Sequence, residues 1–467
     1  MRAHHRRSVA TGLLVAAVFV SRCATPIDEA PDDSAESSVR VESRAEAEID
    51  RDRKLMRLID AGNHGEALAL LEETTTRPFD EDTTLLFSGL LIAEGEYERA
   101  RAELEEIDAH SVEARVLLAE LENEPQERKA GFERALELDE SNADAHAGLG
   151  LYYLGDGDTQ AAADHFAVAL EGEPGHTAAL RGMARIALSE GNSDRAVELL
   201  ERAVDRDPDA GYLRAELANA QLRAGNEEAA IESFTVAVEL EPDYAWHYID
   251  RGRIHQRANR QERAAADFSR AIELENRIFL FYFHRAESRY VLGEYRGALS
   301  DLERVLELEP RYRDAYPLIA PLYFRFERFS DAARYFLRSY ESLGGDPSFA
   351  LLAGLSYLRA GDDGRAESVF RHVEGSASRS TLYYDMAREY ISPRNDSRTE
   401  QLIRREANSD MQTRMRFHLG ALYHMHGRDR AAEALFLQVR DAGDTGFVES
   451  ELAEVYLESF DRPRSTD

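Results

Sequence analysis

From about residue 48 to 446 the hydrophobic positions recur with a period of 34, and within each period they fall at helical rather than strand spacing. In the stretch from Ala143 to His176, His146, Leu149, Gly150, Tyr153, Gly157, Ala162, Phe166, Ala169 and Pro174 stand at positions 4, 7, 8, 11, 15, 20, 24, 27 and 32. Counting on places further repeats at Thr177, Gly211, Ala245, Phe279, Arg313, Pro347, Thr381 and Thr413. Position 20 then reads Ala196, Ala230, Ala264, Ala298, Ala332, Ala366 and Ala432, and only Glu400, in the Thr381 repeat, breaks the column. Position 8 is Gly or Ala and position 24 is Leu or Phe, again outside that one repeat. Small residues at 8 and 20 let two helices approach closely, and the large residue at 24 fills the space against a neighbouring helix. Glycine at 15 suits a turn, and proline at 32 stops the second helix. The pattern predicts an all-α array of helix-turn-helix repeats.

This pattern resembles the tetratricopeptide repeat (TPR). The resemblance covers most of the chain and implies an all-α TPR helix-turn-helix solenoid, a right-handed superhelix with a C-terminal capping helix. Weaker repeats precede residue 143: Gly62, Ala67 and Leu71 mark one, Gly95, Ala100 and Leu104 a second, Phe132 and Ala135 a third. The expected organisation is 1–22 signal peptide, 23–47 acidic disordered tether, 48–142 degenerate repeats and 143–380 well-formed repeats. Residues 381–446 hold a degenerate and a final repeat, 447–460 the capping helix and 461–467 a disordered tail. One irregularity is expected inside the array. Pro317 and Pro321 fall on one first helix, and Pro321 lacks the N–H that helical bonding needs there, so that helix should kink or start late.

In proteins of this family, positions 2, 5, 9, 12 and 13 of each first helix face a concave groove that binds peptides. Carried onto this chain from residue 143 to 380, those positions hold Arg181, Arg185, Arg223, Arg253, Arg257, Arg325 and Arg359 against three acids, Asp144, Glu287 and Asp314. Apolar and polar contacts sit among them at Tyr212, Asn219, Trp246, Phe283, Tyr290 and Phe324. The resemblance therefore implies a peptide-binding surface of Arg181, Arg185, Tyr212, Asn219, Arg223, Trp246, Arg253, Arg257, Phe283 and Tyr290. Its partners would be proteins or peptides with acidic segments. The family's carboxylate clamp for chaperone tails is not reproduced, since only Asn219 fits it.

The N-terminus reads as an address. Met1 to Arg7 is basic, Ser8 to Val20 largely apolar, and Ser21-Arg22-Cys23 follows. An apolar stretch this short falls below the roughly 20 residues a spanning helix needs. The segment resembles a bacterial lipoprotein signal, which implies lipidation of Cys23, although Arg22 departs from the usual Gly or Ala before the cysteine. Cys23 is also the sole cysteine, so no intramolecular disulfide forms. Ala24 in place of Asp implies, by the same resemblance, an outer-membrane rather than inner-membrane destination facing the periplasm.

Composition narrows function from the other side. With hydrophobic residues at 43% beside charged ones at 31%, the chain holds enough apolar material for a continuous core and too much for wholesale disorder. The formal net charge of −32 repels phosphate, which disfavours nucleic acid as a partner. No phosphate-binding loop, nucleophile elbow or metal-ligand spacing stands out. His418, His424 and His426 cluster in sequence, but their spacing does not put three ligands on one helical face. The expected function is a non-catalytic, envelope-anchored interaction scaffold with no cofactor. A soluble regulatory or co-chaperone adaptor, and an accessory subunit of an envelope assembly or polysaccharide enzyme complex, are the alternatives.

Overall fold

A computed structural model describes residues 50–393, 396–443 and 446–461, and the described chain is helical with no strand. The expected signal peptide, the tether, Cys23 and the C-terminal tail lie outside these residues. The chain forms two compact bodies, Met1–Ala230 and Ile231–Asp467, whose boundary falls inside helix Glu227–Leu240.

Paired helices follow the repeat count. Ala143–Asp156 and Thr159–Gly172 make one pair, Thr177–Ser189 and Ser193–Arg206 the next. The second body continues with Ala245–Arg257 and Gln261–Leu274, then Phe279–Val291 and Tyr295–Leu308. Asn142, Asp158, His176 and Asn192 each accept a hydrogen bond from a backbone N–H in the first turn, which satisfies donors the helix itself leaves open.

The columns read from the sequence are the core. Ala162, Ala196, Ala264, Ala298, Ala332, Ala366 and Ala432 are fully buried, as are Phe166, Phe268, Phe336 and Phe436. The contact is tightest where position 8 is glycine. A Cβ on Gly150 would lie 2.5 Å from the Phe166 ring, one on Gly252 2.6 Å from Phe268, and one on Gly354 2.3 Å from Phe370. Leucine at position 24 occurs only in repeats with alanine at position 8, at Ala184/Leu200 and Ala286/Leu302. Glycine at position 8 is always met by phenylalanine, whereas alanine there is met by leucine or, at Ala218/Phe234 and Ala320/Phe336, by phenylalanine.

Position 15 is left-handed along the array. Gly157, Gly191, Gly225, Gly293, Gly361 and Gly427 have φ between 73° and 89° there, and Asn259 (φ 55°) and Glu327 (φ 59°) adopt the same geometry without being glycine. Asparagine tolerates this region, whereas for glutamate the Cβ crowds the backbone.

Two repeats depart from the simple count. Arg313–Ala315 is a turn of 3-10 helix, and the α-helix begins only at Tyr316, running through the buried Pro321 to Arg325. The first helix of that repeat therefore does start late. In the Thr381 repeat the second helix, Asp396–Arg405, is short, and the next helix begins at Ser409, ahead of Thr413. Thr399 and Ile403 take the buried places that the count assigns to Glu400 and Arg404, so the column is displaced by one residue rather than lost.

The second body also buries ion pairs in a repeating ladder. Arg251 Nε and Nη2 donate to Asp267 at 3.0 and 2.6 Å, and Nη1 donates to Thr235. One repeat later Arg285 donates to Asp301 at 2.9 and 2.6 Å and to Ser269. Asp267 is 6% and Asp301 3% exposed, and Arg289 adds a third donor to Asp301 at 2.7 Å. Arginine stands here at position 7, a column that holds Leu149, Met183 and Leu217 elsewhere.

Candidate partner-binding surface

In the first body, helices Thr177–Ser189 and Gly211–Arg223 carry five of the expected surface residues. Arg181 makes a two-pronged pair with Glu216, its Nε 2.8 Å from Oε2, and its guanidinium stands 4.9 Å from the centre of the half-buried Tyr212 ring. Both groups are supplied by the following repeat, so Arg181 serves the joint between repeats. Arg185, Arg223 and Asn219 are exposed at the helix surface, the Asn219 amide donating to the Ala215 carbonyl at 3.0 Å.

The second body holds the other five. Arg253 and Arg257 are exposed, Arg253 standing 3.9 Å from Asp250 on its own helix. Trp246 is half-buried and sets its edge against the fully buried Phe281 at 5.2 Å. Phe283 is 7% exposed and packs edge-on against Tyr312 at 5.0 Å. These two rings serve mainly the contact between repeats. Tyr290 faces inward to a different neighbour, Glu451, and burial pushes its hydroxyl well above the usual tyrosine range.

Glu451 belongs to helix Val448–Asp461, which the sequence pattern predicts only as an end cap. It does cap: Tyr456 stacks on Phe436 at 4.7 Å, and Leu452 and Ala453 are fully buried. It also crosses to earlier first helices. Glu458 pairs with Arg325 at 2.8 Å, Tyr456 lies 5.9 Å from Phe324, and the Arg359 guanidinium stands 5.5 Å from the Tyr456 ring centre. Tyr290, Phe324, Arg325 and Arg359 occupy positions 12 and 13 of three successive repeats. At the start of the helix, Arg414 stands over Phe447 at 4.0 Å and pairs with Asp346 at 3.2 Å. The opposite charges of residues 449–458 and of these arginines are visible in the sequence. Their meeting depends on where the displaced Thr381 repeat delivers the chain, which no periodic count supplies.

The three clustered histidines have separate partners. His418 is fully buried, with its Nδ1 3.1 Å from the Tyr390 hydroxyl; His424 Nδ1 is 3.0 Å from Asp429; and His426 Nδ1 is 2.8 Å from the Leu422 carbonyl. Among the described residues, no three His, Cys, Asp or Glu side chains come together as metal ligands, and no helix is long and apolar enough to cross a membrane.

Two models of the tetratricopeptide repeat match the sequence, one over residues 58–121, 153–220 and 187–249, the other over 283–347 and 318–379. Together they take in more than half of the chain, which thus belongs to the tetratricopeptide-repeat proteins. Solved structures resemble parts of it. YrrB, described as a TPR protein with an unusual peptide-binding site, is 16% identical over 39% of this chain and 95% of its own, with a TM-score of 0.36. PilF of Pseudomonas aeruginosa is 17% identical over 45% of this chain and 94% of its own, at 0.39. A tetratricopeptide repeat protein from Parabacteroides merdae is 15% identical over 60% and 98%, at 0.35. No curated protein matches the sequence.

Proposed function

We propose that this protein is a non-catalytic scaffold, held at the bacterial envelope through a lipidated Cys23, that captures acidic segments of partner proteins on its first-helix faces. TPR repeats support a protein-binding role in general. The observation that carries the finer reading is the solvent-facing placement of Arg185, Arg223, Arg253 and Arg257 at groove positions of a chain whose formal net charge is −32. A guanidinium offers two parallel N–H donors to a carboxylate, and a hydrogen bond to a charged group contributes about 1.5–3 kcal/mol when partly desolvated. The half-buried rings of Tyr212 and Trp246 add apolar contact that charge alone lacks.

The test is charge reversal in the full chain. Arg185→Glu with Arg253→Glu should reduce the yield of co-purifying partners by roughly tenfold or more, as loss of two charged contacts predicts. Arg202→Glu with Arg270→Glu, at second-helix residues that donate to the Pro174 carbonyl and to Glu273, should not. Equal losses would assign capture to overall charge and reject a groove. For the anchor, Cys23→Ser should move the protein from the membrane fraction to the soluble fraction, and continued membrane fractionation of a processed Cys23→Ser chain would reject lipidation.

A further inference from the structure

An end cap has one task, to cover the apolar face of the last repeat, and helix Val448–Asp461 performs it through Leu452, Ala453 and Tyr456. Its contacts with Tyr290, Phe324, Arg325 and Arg359 are no part of that task. They lie on first helices of the repeats beginning at Phe279, Arg313 and Pro347, at the positions where a bound segment would lie if those faces bind partners. We propose that helix Val448–Asp461 occupies in cis a docking surface on these three first helices, and that the surface's external partner is an amphipathic helix whose aromatic residue is followed closely by a carboxylate that meets Arg325. The proposal rests on the scaffold reading above.

The docked helix shows what the surface accepts. Its apolar face presents Leu452, Ala453 and Tyr456, while Glu451 and Glu458 flank that face and meet Tyr290 and Arg325. Arg325 is itself laid over the Tyr295 ring at 4.0 Å, which fixes its fork toward the incoming carboxylate. The fit is incomplete. Of the eleven buried side-chain atoms without a hydrogen-bond partner in the described chain, three lie where the helix meets these first helices, Arg325 Nε, Glu451 Oε1 and the Tyr456 hydroxyl, and two more, His418 Nε2 and Glu449 Oε1, stand 3.9 Å apart at its contact with the last repeat. A buried polar group without a partner destabilises the contact that buries it, so the seam is weaker than its apolar packing alone would make it. An open hollow beside the helix is lined by Tyr295, Arg296, Arg325 and Phe326 together with the acids Glu327 and Glu458. Gly443 and Gly446 both have positive φ and stand before the helix, where a change of direction meets little steric resistance.

Burial pushes Glu449 and Glu451 up to about 7, which adds a supporting strain on the docked state. Glu449 faces Arg414, which favours its charge, together with Asp346 and the buried His418; Glu451 faces Tyr290, Arg325 and Glu454. Near neutral pH the cis helix is therefore held less firmly than in acid.

The test uses the full chain and, as probe, a fluorescein-labelled peptide spanning residues 447–461. Tyr456→Ala, which loosens the cis helix, should raise peptide affinity about tenfold, and adding Arg325→Glu with Arg359→Glu should remove it. Glu449→Gln with Glu451→Gln removes the burial penalty, tightens the cis helix and should lower peptide affinity about fivefold while slowing amide exchange in residues 448–461, a combination that misfolding does not give. Unchanged affinity in the glutamine variant, or binding that survives the arginine reversal, would overturn the proposal. A Tyr456→Ala chain that instead runs as a dimer would make a second copy the occupant and overturn the partner assignment. Capture through Arg185 and Arg253 is scored in the same proteins, so failure here leaves that result readable.

Discussion

The two bodies obey the repeat pattern differently. In Met1–Ala230 every described left-handed residue is glycine and no described carboxylate is buried. In Ile231–Asp467 two left-handed positions are Asn259 and Glu327, and Asp267, Asp301, Glu389 and Glu449 are buried. Arginine is used both ways in both bodies, since Arg181 of the first is engaged by Glu216 and Arg253 of the second reaches solvent, but the arginines that meet buried carboxylates, Arg251, Arg285 and Arg289, all belong to the second. At its left-handed positions and in the lack of buried carboxylates among its described residues, the first body follows local preference. In the second, local preference and fold conflict at several sites, and such conflicts collect where a surface has a use beyond stability. An array built from one pattern can thus keep plain packing at one end and place its special chemistry at the other.

The comparison breaks or sharpens under mutation. The largest effect is expected at Asp301→Ala, which leaves Arg285 and Arg289 without their shared carboxylate; removal of one partner from a buried pair costs about 3–5 kcal/mol. Denaturant unfolding should show the loss in the second body first, and a loss under about 1 kcal/mol would mean the ladder behaves like an exposed ion pair. Next is pH. A carboxylate whose docked value lies near 7 but whose free value lies near 4.5 is protonated on docking. Docking is then fully favoured below about 4.5 and declines as pH rises toward about 7, by at most about tenfold per pH unit for each group. Amide exchange in residues 448–461, corrected for its intrinsic pH dependence, should quicken over that interval, and the first body should show no matching trend. Glu327→Gly should stabilise the second body by about 1 kcal/mol, read as a rise in Tm, because glycine meets no Cβ penalty at φ 59°. The smallest effect is expected at Arg185→Ala, within about 0.5 kcal/mol of the parent, since the side chain reaches solvent. A larger cost there would mean that Arg185 is engaged within the chain as Arg181 is by Glu216.

The repeat columns were legible because alanine, glycine and phenylalanine at fixed spacing suit one mode of helix packing; the fully buried Ala264 and Phe268 follow directly from it. Arg251 and Arg285 were not legible as buried groups. A charged residue in an apolar column looks like a surface residue until its partner, sixteen residues on along the neighbouring helix, is known to face it. Tyr290 was legible as a groove residue, but its neighbour Glu451 was not, since their meeting is set by helix placement after the irregular Thr381 repeat. The sequence leaves Arg181 free to bind, and Glu216 engages it within the chain, because the position rule describes which way a side chain points and not what stands opposite.

Phe166 has a consequence for how such a chain can lengthen. Its ring closes on Gly150 of its own repeat and on Gly182 of the next, where an added Cβ would come within 2.2 Å. In the second body, Phe268 instead meets His284 of the following repeat, ring against ring at 5.6 Å. A duplicated repeat inserted by recombination would therefore be accepted only beside a neighbour with the matching sixth residue. Ancestry by copying leaves each junction with its own mating pair, so the order of the repeats is inherited along with their number.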